Sequence, residues 1–180
     1  MTEPCSLVRQ WSLADTAATD AWGTRLAAAL RALPPRPVQI QLSGDLGAGK
    51  TTLSRAILRA LGHAGRVRSP TYTLCEPYAL QRADGTPLTV YHFDLYRFAD
   101  AEEWIDAGFD ELLAEPAVCL IEWPEKAAGL LGEPDLHLWL QVQDDRAVPR
   151  TDAGVDTGTE TRALRACAYT STGTELLHAC

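Results

Sequence analysis

Near the start of the chain the apolar positions recur at helical spacing. From Asp15 or Thr16, either of which can serve as N-cap, Trp22, Leu26, Ala29, Leu30 and Leu33 fall on one face until Pro34-Pro35 stops the run. The period then drops to two over residues 38–43, VQIQLS, before a glycine-rich turn and the leucine-bearing stretch TTLSRAILRAL, closed by Gly62. Strand, loop and helix are predicted in that order. TLCEPYAL and PLTVYHFDLY flank Ala83-Asp84-Gly85-Thr86, whose Asp-Gly pair predicts a hairpin and places Asp94 near a strand end. Asp100 and Glu103 have capping-box spacing ahead of Trp104 and Ile105, and Gly108 supplies a stop, which predicts a short helix. The unbroken run Val118, Cys119, Leu120, Ile121 in AVCLIEW reads as a strand buried on both faces, and LHLWLQV at 136–142 as an alternating one. Residues 143–160 are rich in Asp, Thr, Gly and Pro and poor in apolar side chains, so an exposed loop is expected before a last strand at about 162–169. Helices alternate with strands, and the expectation is an α/β protein with a central mixed β-sheet flanked by helices in three layers. No internal repeat or second domain is visible, so residues 1–180 are read as one domain.

Composition narrows the class. With 180 residues and 46% hydrophobic content the chain can bury a core without disulfides or a structural metal. A formal charge of −8 and a pI near 4.9 argue against direct binding to nucleic acid, which normally needs a basic face. The cysteines (Cys5, Cys75, Cys119, Cys167, Cys180) are odd in number and never spaced as C-x-x-C, so neither a disulfide framework nor a zinc site is expected and a reducing cytoplasm fits best. No apolar stretch approaches the ~18 residues of a membrane span, and no signal peptide opens the sequence.

Chemistry enters at Gly44-Asp45-Leu46-Gly47-Ala48-Gly49-Lys50-Thr51-Thr52, which contains G-x-x-x-x-G-K-T between a predicted strand and a predicted helix. A phosphate needs convergent backbone N–H groups, and glycine lets a loop curl round the anion without a Cβ in the way. The expected ligand is Mg-ATP on a P-loop NTPase-like fold: Asp45, Leu46, Gly47, Ala48, Gly49 and Thr52 wrap the phosphates, Lys50 reaches them, and Thr51 gives its hydroxyl to Mg2+. Such a loop needs an acid at the end of a neighbouring buried strand, and Glu122 after VCLI fits, as metal partner. Asp94 is the second candidate, able to orient an attacking water. His92 shares its alternation face and is given no catalytic role. Ser69-Pro70-Thr71-Tyr72-Thr73 reads equally well as a nucleotide-sensing loop and as a Pro-fixed turn.

Taken together and in order, GDLGAGKTT, SPTYTLCEPY, YHFDLYR and IEWPEK closely resemble the bacterial ATPase family of tRNA threonylcarbamoyladenosine biosynthesis, TsaE (formerly YjeE). The first motif is generic to P-loop proteins, whereas HFDLYR followed by EWP is specific to this family. The resemblance implies a small cytoplasmic ATPase that works with TsaB and TsaD and meets tRNA only through them. It implies that Thr51 and Glu122 bind magnesium, that Asp94 is needed for hydrolysis, and that Trp123 lies close to the nucleotide. It also implies nucleotide contacts from Thr19 and Arg162, with Arg146 and Arg150 as alternatives to the latter, because the 143–160 loop departs from the compact family pattern. A GTPase is excluded, since the chain has no asparagine for N-K-x-D and no D-x-x-G after the P-loop. A small-molecule kinase, kept open by Arg66, Arg68, Arg82 and Arg97, and a nucleotide-switched binding module are the competing readings.

Overall fold

The computed structural model describes residues 5–70, 72–143 and 161–180. Strand β1 (Leu7–Leu13) is followed by helix α1 (Thr16–Ala32), β2 (Val38–Ser43), α2 (Lys50–Ala60), β3 (Cys75–Gln81), β4 (Pro87–Asp94), α3 (Ala101–Asp106) and α4 (Phe109–Ala114). Then come β5 (Val118–Glu122), a 3-10 turn at Pro124–Ala127, β6 (Leu136–Val142), β7 (Arg162–Ala168) and α5 (Ser171–Ala179). The strands form one sheet in the order β1-β7-β6-β2-β5-β4-β3. It is mixed, as expected: β6, β2, β5 and β4 run parallel, while β3 pairs antiparallel with β4, β7 with β6, and β1 with β7.

Side-chain alternation on the adjacent strands β4 and β5 separates the layers. Val118 and Leu120 of β5 join Leu88 and Val90 of β4 in a core shared with Leu26 and Leu30 of α1, Leu53 and Ile57 of α2, and Leu176 and Leu177 of α5. Cys119, Ile121 and Phe93 face the other way, into a second core with Trp104 of α3 and Phe109 of α4. There the rings of Phe93, Trp104 and Phe109 lie 5.2–5.8 Å apart, edge-to-face or stacked, arrangements that aromatic quadrupoles favour. The even-numbered positions of both strands share the first face, so His92, Asp94 and Glu122 all project on the α2 side.

The structure decides the first cap in favour of Asp15, whose carboxylate accepts the Ala18 N–H at 2.7 Å. It corrects the expected opening helix, because the first described element is a strand. Leu7, Arg9, Trp11 and Leu13 turn inward while Val8, Gln10 and Ser12 face out, and β1 pairs with β7 along its whole length. Asp100 caps α3 through the Glu102 and Glu103 N–H groups, but Glu103 bonds Ala99 N rather than closing the box on Asp100. Gly108, at φ +67°, does more than stop α3: it opens α4, an extra turn of helix whose Phe109 completes the aromatic cluster. A C-terminal helix, α5, also follows the last strand. Thr170 caps it by accepting the Gly173 N–H at 3.1 Å, and a Cβ at Gly173 would lie 1.8 Å from Asp135 O. Cys5, just before β1, and Cys167, in β7, lie with Cα atoms 5.7 Å apart, within reach of a disulfide, a single pair rather than a framework and one that their spacing in the sequence does not point to. The loop expected over 143–160, with Arg146 and Arg150, lies beyond Gln143 outside the described residues, as does Thr71. No helix among the described residues is long and apolar enough to cross a membrane.

Candidate functional site

The G-x-x-x-x-G-K-T loop leaves the C-terminal end of β2 and enters α2, at the centre of the sheet, where parallel strands leave their carboxyl ends facing one crevice. Two of its glycines are fixed by what surrounds them. A Cβ on Gly44 would sit 2.2 Å from Leu140 O, and one on Gly49 would press the Arg162 side chain at 3.0 Å in a left-handed conformation, φ +103°. Gly49 is the N-cap of α2 and brings no side chain to cap it, so the first-turn N–H groups of an 11-residue helix point into the crevice. Lys50 Nζ donates to Gly44 O at 2.5 Å and Asp45 O at 2.9 Å, and lies 3.6 Å from the centroid of the Trp123 ring. Burial lowers the Lys50 pKa, against the opposing pull of Glu122, Glu125, Asp94 and Asp45.

Opposite the loop, Asp94 and Glu122 are register partners at the ends of β4 and β5. Glu122 is 1% exposed and accepts three side-chain bonds: Thr51 Oγ1 to Oε2 at 2.7 Å, and Ser54 Oγ at 2.9 Å and His92 Nε2 at 2.7 Å, both to Oε1. Asp94 is held from the connecting segments: Ser69 Oγ donates to Oδ2 at 2.5 Å and the Tyr96 N–H to Oδ1 at 3.2 Å. The following residue, Trp123, adopts φ +60°, ψ +48°, a left-handed conformation that non-glycine residues reach at a cost of about 1–3 kcal/mol. It turns the chain off the sheet so that its ring lies between Lys50 and Tyr96, the latter with its ring centroid 5.0 Å away.

A cavity of about 370 Å3 is lined by Leu46, Gly47, Gly49, Lys50, Thr51, Thr52, Asp94, Glu122 and Trp123, so most of the residues expected from the sequence converge. Asp45 and Ala48 take part through their backbone: Asp45 O receives Lys50, and Ala48 O receives Arg162 Nε at 3.1 Å. Arg162 thus braces the loop, its side chain packed on Gly49. Thr19 stays apart from the cavity lining; it is buried in the first turn of α1, where its hydroxyl donates to Asp15 O at 3.1 Å.

Ser69, Tyr96 and Arg97 also line the cavity, and Ser54 lies beneath it on Glu122. SPTYT and HFDLYR carried Ser69, Tyr96 and Arg97 without marking which of their side chains turn inward. Ser54 had one available signal, its position three residues after Thr51 on the same helix. Tyr72, at 84% exposed, carries Arg97 4.7 Å above its ring.

A family model described as "Threonylcarbamoyl adenosine biosynthesis protein TsaE" matches residues 13–151. The chain is similar to the tRNA threonylcarbamoyladenosine biosynthesis protein TsaE of Haemophilus influenzae, 46% identical over 110 residues that cover 61% of this chain and 66% of that protein. It is 36% identical over 134 residues to the protein of the same name from Bacillus subtilis, covering 73% of this chain and 80% of the other. Among solved structures, Bacillus subtilis YdiB shares the fold with a TM-score of 0.62, covering 98% of this chain and 95% of that one at 24% identity.

Proposed function

Because the chain belongs to the TsaE family of threonylcarbamoyl adenosine biosynthesis proteins, we propose that it is a P-loop ATPase that binds and hydrolyses Mg-ATP in the cycle that modifies tRNA. The carrying observation is the contact at 2.7 Å between the Thr51 hydroxyl and the Glu122 carboxylate at the uncapped start of α2. It joins a hard oxygen pair suited to magnesium with a helix N-terminus suited to phosphate.

The donor set fits this cation. Among the described residues no cluster of three or more His, Cys, Asp or Glu side chains could hold a metal by itself, and magnesium typically takes one or two protein oxygens and completes its shell with water and phosphate oxygens. Bound there, Mg-ATP would supply a terminal phosphoryl group whose charge the metal neutralises. Lys50 exchanges its bonds to Gly44 O and Asp45 O for phosphate oxygens, the first-turn amides of α2 orient the same anion, and Thr51 and Glu122 hold the cation. Asp94 orients the attacking water, and Trp123 with Tyr96 forms an aromatic wall. In the proposed cycle the partners are TsaB and TsaD, in the cytoplasm, and tRNA is met through them, consistent with the charge of −8.

Labelled γ-phosphate should appear as free phosphate, faster when both partner proteins are added. Label on a cell metabolite would favour a small-molecule kinase, a reading to which the Arg97 guanidinium at the cavity gives some footing. Nucleotide-dependent partner binding without any phosphate release would favour the switched binding module.

A further inference from the structure

The Glu122 carboxylate is loaded unevenly. Oε1 takes two donors, Ser54 Oγ at 2.9 Å and His92 Nε2 at 2.7 Å, whereas Oε2 takes only Thr51 at 2.7 Å. A carboxylate offers about four acceptor positions, two on each oxygen, so the Oε1 positions are filled and Oε2 keeps one on the side of Thr51. His92 is 0% exposed, and its Nδ1 has no hydrogen-bond partner among the described residues, so the ring's whole polar function is directed at Glu122. Because a carboxylate that receives three donors acts as acceptor throughout, the ring presents Nε2–H. His92 comes from β4 and Ser54 from α2, so the carboxylate is held from the sheet and from the helix at once. Rotating it to exchange its oxygens would break both bonds and strand His92 and Ser54, both 0% exposed, where an unmet buried polar group costs about 1–3 kcal/mol.

We propose that His92 and Ser54 are positioning residues that clamp Oε1 of Glu122, so that Oε2 is presented beside the Thr51 hydroxyl as a preformed half-site for the divalent cation. The proposal rests on the Mg-ATP reading above and deepens it. Neither residue lines the cavity; both act through Glu122, as hydrogen-bonding partners orient ligands at metal sites generally. Ser54 has a competing acceptor, Lys50 O at 3.1 Å in the preceding helical turn, so its single proton is shared and His92 carries the larger part.

Calorimetric titration of ADP, first in EDTA and then across a magnesium series, tests this on the wild type and on His92→Phe, His92→Gln and Ser54→Ala, with thermal melts of each. In His92→Phe the magnesium concentration at half-effect should rise about 10- to 100-fold, while metal-free ADP affinity stays within about twofold. His92→Gln should recover most of the loss, because its amide N–H reaches the same place, and Ser54→Ala should shift the midpoint in the same direction by less. A folded His92→Phe with the wild-type midpoint would overturn the clamp, as would a His92→Gln that melts like the wild type yet needs as much magnesium as His92→Phe. Should His92→Phe not fold, a wild-type midpoint in Ser54→Ala overturns it equally. Wild-type ADP affinity indifferent to magnesium would instead remove the Mg-ATP reading itself, whatever the variants do.

Discussion

Glu122 and Asp94 end adjacent parallel strands in register and face the same crevice, yet their surroundings differ in kind. Glu122 is bonded by side chains from α2 and β4, elements seated in the main core, whereas Asp94 is bonded by Ser69 and the Tyr96 amide, which belong to connecting segments. Groups set on regular elements hold a fixed geometry, and groups set by loops move with them. On the proposed reading the pair divides into a standing site for the cation and an adjustable site for the water. Changes near Glu122 should act on metal dependence, and changes near Asp94 on rate.

The largest effect comes from removing what both acids serve. Lys50→Ala or Thr51→Ala should abolish Mg-ATP binding or turnover with normal circular dichroism, and unchanged calorimetric affinity and turnover in both would show that the loop is not the nucleotide site. Asp94→Asn should cost ~10^2 to 10^4 in rate while affinity moves far less. Full activity with a lower melting point would reduce Asp94 to the acceptor of its Tyr96 turn. Glu122→Gln should raise the magnesium requirement of turnover by about tenfold or more, and an overlaid titration would erase the proposed division. Ser69→Ala removes one hydrogen bond from Asp94 and leaves the acid in place, so turnover should fall by about tenfold, a loss of about 1.4 kcal/mol, with the magnesium midpoint unmoved. A shifted midpoint would mean that the acids act as one unit. The smallest effect is a control outside both acids. Burial, helped by Arg165, pushes the His137 pKa down from 6.5 to about 4. The unfolded chain then takes up this proton first as pH falls, so stability is complete above about 6.5 and drains toward 4. In His137→Gln the melting temperature should fall less across that window; an identical fall would trace acid sensitivity to other groups.

Much of this site was legible because it depends on local pattern. The strand, glycine turn and helix around Lys50 occupy one short window, and the alternation of β4 already put His92 and Asp94 on one face. What escaped depends on contacts between distant segments. Nothing near Ser69 announces a bond to Asp94, and nothing near Arg162 announces Ala48. Thr19 is reached by resemblance alone: it lies outside the cavity lining, with its hydroxyl on Asp15 O, and no local pattern relates it to the phosphate loop. A lone alternating heptamer such as β1 is weak evidence of a strand until its partner β7 is known, and the approach of Cys5, just before β1, to Cys167 depends on the same long-range pairing. Helix α5 had a readable signal, Thr170 before apolar Leu176 and Leu177, but so short a helix carries little periodic weight.

The pairing of β6 with β7 has a consequence for how this chain tolerates change. Val142 and Arg162 are register partners, the Gln143 N–H bonds Thr161 O at 2.8 Å, and one residue beyond that closure Arg162 braces Ala48 and Gly49. The ladder thus fixes the chain on both sides of residues 144–160. Strand pairing thereby tethers the guanidinium behind the phosphate loop, and a substitution that loosens Val142 from Arg162 should be felt at Ala48 and Gly49.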